Sequence, residues 1–171
     1  MTPQPHHSLP AMLPPANCFT ILVIDDLLPN RVLLRKVLKG AGYAVLEAAN
    51  GIEALALLRD PALCPDLIVT DIEMPWMDGI TLVEQIRLLP DALARIPIIA
   101  ASGNADEDMR RRMFSVGSDA FLAKPFDFGI LRREIANLIK SRRLPAAIRT
   151  QANPLGTPPP NRIEAGLRET K

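Results

Sequence analysis

Several short apolar runs in this sequence end in residues that could do phosphate or metal chemistry. Asp25-Asp26, Asp71, Ser102 and Lys124 each stand at or directly after such a run. Carboxylate and carbonyl oxygens are the ligands that Mg²⁺ prefers, while a hydroxyl and a lysine can neutralise the oxygens of a phosphoryl group. With Asp71 as an attacking carboxylate, the set suits phosphoryl transfer to an aspartate.

These residues depend for their placement on an alternation of short apolar runs and longer amphipathic stretches. Apolar runs bounded by turn residues predict buried strands, and apolar residues three and four apart predict helices that pack on them. The predicted strands cover 19–24, 44–48, 67–70, 96–101 and 120–123. The predicted helices cover 29–39, 51–59, 80–89, 106–115 and a last stretch with Leu131, Ile135, Leu138 and Ile139 on one stripe.

Five strands, each followed by a helix, predict an α/β fold. They can be connected right-handedly only as a parallel sheet with helices on both faces. The carboxyl ends of such strands form the edge where ligands bind, so the acids, the serine and the lysine are expected to meet there. Three carboxylates in one place repel, so raised pKa values or a bound cation must compensate. Periodicity alone leaves the strand order open.

The composition predicts one folded domain between two extensions. A chain of 171 residues is long enough for one domain with a substantial core. Residues 1–17 hold five prolines and no Asp, Glu, Lys or Arg, which indicates an extended arm. Residues 145–171 are rich in proline and basic, which indicates a disordered tail. The folded domain is therefore predicted over 18–144.

Charge, cysteine usage and hydropathy disfavour several classes of protein. Residues 19–140 carry 14 Lys/Arg against 17 Asp/Glu, and 141–171 carry 6 against 2. A basic tail could contact nucleic acid or an acidic partner, but so few charges favour a solvated tail, and no nucleic-acid partner is expected. Cys18 and Cys64 lack the spacing of a disulfide framework or a zinc site. The N-terminus lacks a secretory signal pattern, and no apolar run approaches the ~20 residues of a membrane span, so a cytoplasmic protein is predicted.

Four segments resemble, in order and spacing, the receiver domain of bacterial two-component response regulators. They read ILVIDD, DIEMPWMDG, PIIAASG and FLAKPF, and the resemblance covers about 19–141. It implies a flavodoxin-like (βα)5 three-layer sandwich with strand order 2-1-3-4-5. It also implies a stand-alone receiver of the chemotaxis type, because no second domain is recognisable after residue 140.

The resemblance implies a role for each acid at the strand ends. Asp71 matches the phosphoacceptor. Asp25 and Asp26 match the acidic pair that binds Mg²⁺, with Asp26 as the direct ligand. Asp71 and the main-chain carbonyl of Glu73 complete the implied protein ligands. The Glu73 side chain departs from the usual pattern, at a position that tunes the lifetime of the phosphoryl group in the family.

The resemblance also implies a switch. Ser102, often Thr in the family, matches the switch hydroxyl, and Phe121 matches the rotating aromatic residue. Lys124 matches the family's lysine, with a cis peptide to Pro125. Gly103 departs from the usual Ala beside the switch serine.

The implied function is a switch in a phosphorelay. A histidine kinase or histidine phosphotransfer protein would phosphorylate Asp71, and the helix at 106–115, the strand at 120–123 and the last helix would change their contacts with a downstream protein. A homodimer is compatible with this scheme. The protein would catalyse no more than its own phosphorylation and dephosphorylation. The basic run Arg110 to Arg112 fits either this output face or a plain solvated face.

Two other functions compete with the switch. A phosphohydrolase of the haloacid-dehalogenase kind also uses a strand-end aspartate, a serine and a lysine. Here the acidic pair precedes Asp71, and Glu73 replaces that family's second aspartate, which both count against it. The other competing function is a receiver-like scaffold that works without phosphorylation. The complete set of acids, hydroxyl and lysine argues against it.

Overall fold

Five parallel strands form one sheet in the order β2-β1-β3-β4-β5. The strand order implied by the resemblance is therefore confirmed. The structure is a computed structural model that describes residues 19–143, so the predicted arm at 1–17 and tail at 145–171 lie outside the described residues. The strands are β1 Thr20–Ile24, β2 Ala44–Ala48, β3 Leu67–Asp71, β4 Ile98–Ser102 and β5 Ala120–Ala123.

In the part of the chain that the structure describes, six helices connect and cover these strands. Three of them begin where a side chain caps the first turn: Asn50 accepts from Glu53 N, Asp78 from Thr81 N and Asp106 from Met109 N. The helices are α1 Leu28–Gly40, α2 Gly51–Leu58, α3 Gly79–Arg87, α4 Asp91–Ala94, α5 Glu107–Val116 and α6 Phe128–Arg143.

The four-residue helix α4 was not among the predicted elements. It follows Pro90 and is too short to show a helical period in the sequence. Leu93 packs against the core from this helix. The predicted helix at 80–89 is correspondingly shorter and ends at Arg87.

The sheet separates two hydrophobic layers. On one face α1 and α6 supply Leu34, Leu38, Leu131 and Ile135 to a cluster with Ile21, Val23, Leu67 and Val69 of the strands. On the other face α2, α3 and α5 pack on Leu22, Ile24, Ile68 and Ala100. Because successive strand residues point to opposite faces, each strand contributes to both layers. Within residues 19–143, no helix is both long and apolar enough to cross a membrane.

Candidate functional site

The strand pleat divides the predicted site residues between the two faces of the sheet. Val23, Val69 and Leu122 all pack in the layer with α1 and α6. Asp25, Asp71 and Lys124 each lie two residues further along the chain. Since the side-chain period of a strand is two, these three project on the same side, at the carboxyl edge of the sheet.

Lys124 joins two of the acids. Its Nζ lies 2.8 Å from Asp71 Oδ2 and 2.9 Å from Asp25 Oδ2. Both carboxylates are buried, at 6% and 2% side-chain exposure, and the lysine side chain is 23% exposed. The lysine thus reaches from β5 across the carboxyl end of β3 to the loop after β1.

Asp25 is fixed by several donors besides the lysine. Leu27 N donates to its Oδ1 at 3.0 Å. The Asn30 amide, in the first turn of α1, donates to both carboxylate oxygens at 3.0 and 3.1 Å. The Asp25 carboxylate is therefore held in one orientation by the helix that follows it.

Asp71 has fewer donors for its charge. Ile72 N donates to Oδ1 at 2.8 Å, and Glu73 N approaches the same oxygen at 3.4 Å. Burial raises the pKa of Asp71 above its ordinary value, and the hydrogen bond and charge of Lys124 offset this only in part. The Asp25 charge adds to the rise. The carboxylate is thus poorly stabilised in the absence of a further cation.

In Lys124, unlike Asp71, the surroundings favour the charged form. Burial disfavours its ammonium form, but the hydrogen bonds to Asp71 and Asp25 and their charges outweigh this, so the pKa of Lys124 is raised. The lysine is therefore positively charged at neutral pH. It supplies one positive charge against three nearby carboxylates.

The acids can hold a divalent cation. Asp25, Asp26 and Asp71 each offer a carboxylate oxygen, and these oxygens lie within 4.8 Å of one another. Among the described residues Asp26 Oδ1 is buried without a hydrogen-bond partner. An orphaned carboxylate oxygen beside two further carboxylates is costly without a cation. This all-oxygen set fits a hard cation such as Mg²⁺, and the Glu73 main chain passes alongside it.

The loop after Asp71 folds back against the strand that carries it. Gly79 N donates to Ile72 O at 2.8 Å. A Cβ at Gly79 would lie 2.7 Å from Ile72 Cα and collide with the carbonyl oxygen of Asp71. Only glycine permits this close approach. In the same loop Trp76 has a positive φ of 64° and is 82% exposed.

The two predicted switch residues lie on the opposite face from Asp71. Phe121 is half-buried and packs with α2, α3 and α5, and Ser102 follows Ala100 of that layer by two residues. The fully buried Ser102 hydroxyl donates to Asn104 O at 2.8 Å and accepts from Asn104 N at 3.0 Å. Glu73 Oε1 lies 3.4 Å from the same hydroxyl.

A family model described as the response regulator receiver domain matches residues 21–136. The chain belongs to the response regulator receiver domain family. The resemblance seen in the four sequence segments is thereby confirmed. Receiver domains act as signalling domains rather than as conventional enzymes, and they interact with histidine kinases or phosphotransfer proteins.

Relatives of this receiver include separate proteins and parts of kinases. Sporulation initiation phosphotransferase F of Bacillus subtilis is 34% identical over 112 residues, which cover 65% of this chain and 86% of that protein. Sensor histidine kinase CheAY of Helicobacter pylori is 34% identical over 122 residues, 71% of this chain but only 15% of the kinase. The structure of the chemotaxis response regulator CheY4 of Vibrio cholerae is 28% identical, with a TM-score of 0.65 over 71% of this chain and 98% of that one.

A cavity of about 340 Å³ opens beside the receiver's acidic site. It lies between α1 and the loop that follows β5, and it joins polar groups of the site to apolar side chains. Its lining consists of Asp25, Asn30, Leu33, Leu34, Lys124, Pro125, Phe126 and Phe128. Leu27, Leu28 and Val32, also of the α1 segment, are exposed large hydrophobic residues. The rim of the receiver site is thus apolar on the α1 side.

The sequence analysis missed two residues that bear on this receiver site. Asn30 binds the Asp25 carboxylate, and Arg31 donates to the main-chain oxygens of Asp25 and Asp26. A signal was available, because side chains in the first turn of a helix point back toward its N-terminus. A polar residue four or five positions after an acidic pair can therefore reach it.

The basic run on α5 of the receiver is only partly available for partners. Arg111 pairs with Asp108 at 2.7 Å on the surface, and the Arg110 guanidinium lies 5.8 Å from the centroid of the Phe114 ring. Phe114 is 42% exposed. Both the solvated-face and the output-face interpretations are compatible with these contacts.

Proposed function

We propose that this chain is a response regulator receiver that accepts a phosphoryl group on Asp71 and changes its protein contacts in response. The observation that carries the proposal is the buried Asp71 carboxylate, held by Lys124 beside Asp25 and Asp26. The phosphoryl donor is a histidine kinase or histidine phosphotransfer protein. The working unit is the domain over 18–144, flanked by the arm at 1–17 and the tail at 145–171.

In the proposed reaction a carboxylate oxygen of Asp71 attacks the phosphorus of a phosphohistidine. The new oxygen–phosphorus bond forms as the nitrogen–phosphorus bond breaks, and the imidazole keeps the electron pair. As negative charge moves from the Asp71 carboxylate to the phosphoryl oxygens, the Lys124 ammonium neutralises it there. Mg²⁺, held by Asp25, Asp26, Asp71 and the Glu73 carbonyl when bound, would neutralise charge on those oxygens.

The exposed apolar rim supports a protein as the donor. Leu27 and Leu28 are 55% and 59% exposed beside the acidic pair, and Trp76 stands in the loop after Asp71. A small-molecule donor would not need this apolar surface. Apolar patches rimmed by polar residues mark sites of protein contact.

The proposed output begins at Ser102. Its hydroxyl gives up the bond to Asn104 O and donates to the phosphoryl group, so the loop before α5 moves. Phe121 lies on the same side of the sheet and turns inward with it. The surface of α5, β5 and α6 then changes its affinity for a downstream protein. Such a switch is a local charge event that biases a two-state element.

Phosphorylation by a small-molecule donor tests the proposal. With phosphoramidate or acetyl phosphate and MgCl2, wild type is expected to gain one acid-labile phosphate, and Asp71→Asn none. Asp108→Asn is the matched control, because Asp108 is an exposed acid away from the site, and it should behave as wild type. Equal incorporation by the Asp71 variant would refute the proposal.

Two further readouts separate the competing functions. Sustained turnover of p-nitrophenyl phosphate would identify a phosphohydrolase instead. A partner that binds wild type and Asp71→Asn equally, with and without the phosphodonor, would identify a scaffold.

A further inference from the structure

Arg31 lies beneath the acidic pair and contacts its backbone. From the first turn of α1, its Nη1 donates to Asp25 O at 2.6 Å and to Asp26 O at 3.1 Å. The side chain is only 15% exposed, so these bonds are largely shielded from water. A single guanidinium nitrogen therefore holds two consecutive main-chain oxygens.

The other side of the same guanidinium faces β2. Arg31 Nε lies 3.9 Å from Glu47 Oε2, and Glu47 Oε1 is 2.7 Å from Arg35 Nη1. Glu47 is paired in register with Val23 of β1. Arg31 thus lies between the acidic pair and β2, with two hydrogen bonds to the main chain of the pair and a longer charge contact to Glu47.

The two acids of the pair differ in how their carboxylates are held. The Asp25 carboxylate is bound by Leu27 N, Asn30 and Lys124. Within residues 19–143 the Asp26 Oδ1 has no partner. No hydrogen bond within that described range holds this Oδ1 in place, which leaves the Asp26 backbone to orient it, and Arg31 donates to the carbonyl oxygen of that backbone.

We infer that Arg31 is a positioning residue for divalent-cation binding, which it supports by orienting the backbone of Asp26. The inference rests on the proposed function, because it concerns the same Mg²⁺ site. Groups that orient metal ligands cost 10–100-fold in metal affinity when removed. Arg31→Ala is expected to weaken Mg²⁺ binding at least about tenfold.

Arg35→Ala is the matched control. Arg35 lies one turn later on α1 and pairs with the same Glu47. Within the described residues it donates to neither main-chain oxygen of the acidic pair. Both variants lose a charge and a contact with Glu47, although Arg31 is the more buried of the two, at 15% side-chain exposure against 41%. Of the two arginines, Arg31 is the one that donates to Asp25 O and Asp26 O.

The experiment is a titration of the full chain with MgCl2 alone, followed by the backbone amide NMR shifts of Ile72 and Glu73. Wild type should give a saturable shift, Arg35→Ala a dissociation constant within twofold of it, and Arg31→Ala one about tenfold higher. The same spectra report whether each variant is folded. If Arg31→Ala does not fold, Arg31→Lys replaces it, with an expected weakening of at least about threefold, because an ammonium lacks the guanidinium's planar set of donors.

The outcomes separate this inference from the proposed function. An Arg31 variant that is folded and binds Mg²⁺ within twofold of wild type overturns the inference alone. Equal weakening in Arg35→Ala also overturns it, because the effect would then come from Glu47 or from helix α1 as a whole. A wild-type chain that shows no saturable shift overturns the proposed function instead.

Discussion

Charged residues lie at both ends of the parallel strands. The two ends, called here the amino edge and the carboxyl edge, use them in different ways. At the amino edge Asp119 Oδ2 accepts from Ile98 N at 2.8 Å and from Arg87 Nη2 at 2.9 Å. At the carboxyl edge Lys124 binds both Asp25 and Asp71, and Asp26 Oδ1 has no partner among the described residues. The first edge is balanced in charge and bonding, and the second has an excess of acid.

Arg87 completes the balance at the amino edge. Besides Asp119 it donates to the main-chain oxygens of Gly117, Ala94 and Ile96 at distances of 2.6 to 2.9 Å. One side chain thereby ties the end of α3 to α4, to the start of β4 and to the end of α5. A satisfied network of this kind stabilises the fold, whereas an unbalanced cluster in a cleft indicates a binding site.

The largest effect on folding should come from breaking the balanced edge. Arg87→Ala removes charged donors from three carbonyls and from Asp119, so we expect a loss of about 2–3 kcal/mol in the free energy of unfolding. Urea unfolding monitored by circular dichroism measures it. Arg111→Ala, at an exposed ion pair, should cost less than about 0.5 kcal/mol. Because Arg87 is remote from the acids, Mg²⁺ affinity should not change, and a change would contradict the separation of the two edges.

A substitution in the acidic cluster at the carboxyl edge should instead raise the free energy of unfolding. Asp26→Asn removes a charge from the cluster, so we expect the metal-free protein to gain about 1 kcal/mol in unfolding free energy. The same variant should lose the stabilisation that MgCl2 gives to wild type. Urea unfolding in EDTA and in MgCl2 measures both effects. A variant less stable than wild type in EDTA would show that Asp26 is structural.

Asp71, at the carboxyl edge, should make a smaller contribution to the free energy of unfolding, and this contribution should depend on pH. Burial raises the pKa of Asp71 in the folded chain, so its stabilising contribution is fully present below the unfolded value of 3.8 and is lost as pH rises through the folded pKa. Asp71→Asn lacks this dependence. The stability of wild type minus that of the variant should therefore fall as pH rises from 3.8 toward neutrality in EDTA. Urea unfolding at several pH values tests this, and a difference that rises with pH would refute it.

Much of the fold could be predicted because the strands are short apolar runs ended by turns. The predicted β2 and β5 have the observed ends, and β1 and β3 differ by one residue. The predicted strand at 96–101 instead runs over Ile98–Ser102, and Ile96 and Pro97 form a buried connection before it. Strand order came only from the family resemblance, since order is a long-range property that local periodicity does not contain.

The candidate site was predicted as a set of residues but not as a set of contacts. Placement of the acids and Lys124 at one edge followed from the parallel topology, and the structure brings Asp25, Asp71 and Lys124 together. The roles of Asn30 and Arg31 were not predicted, because they depend on which side chains face each other between α1, β1 and β2. Spacing along the chain shows only that side chains in the first turn of α1 can reach the acidic pair, and packing geometry decides which of them do.

The alternation of strand side chains has a consequence for how this receiver could diversify. Asp25, Asp71 and Lys124 lie on one side of the sheet, while Ser102 and Phe121 lie on the other. The residues that would perform the chemistry and those that would report it therefore lie on opposite faces of one sheet. The two faces meet at Glu73, whose N lies 3.4 Å from Asp71 Oδ1 and whose Oε1 lies 3.4 Å from the Ser102 hydroxyl. Substitutions on the Phe121 face could therefore change which partner is bound and leave Asp25, Asp71 and Lys124 in place.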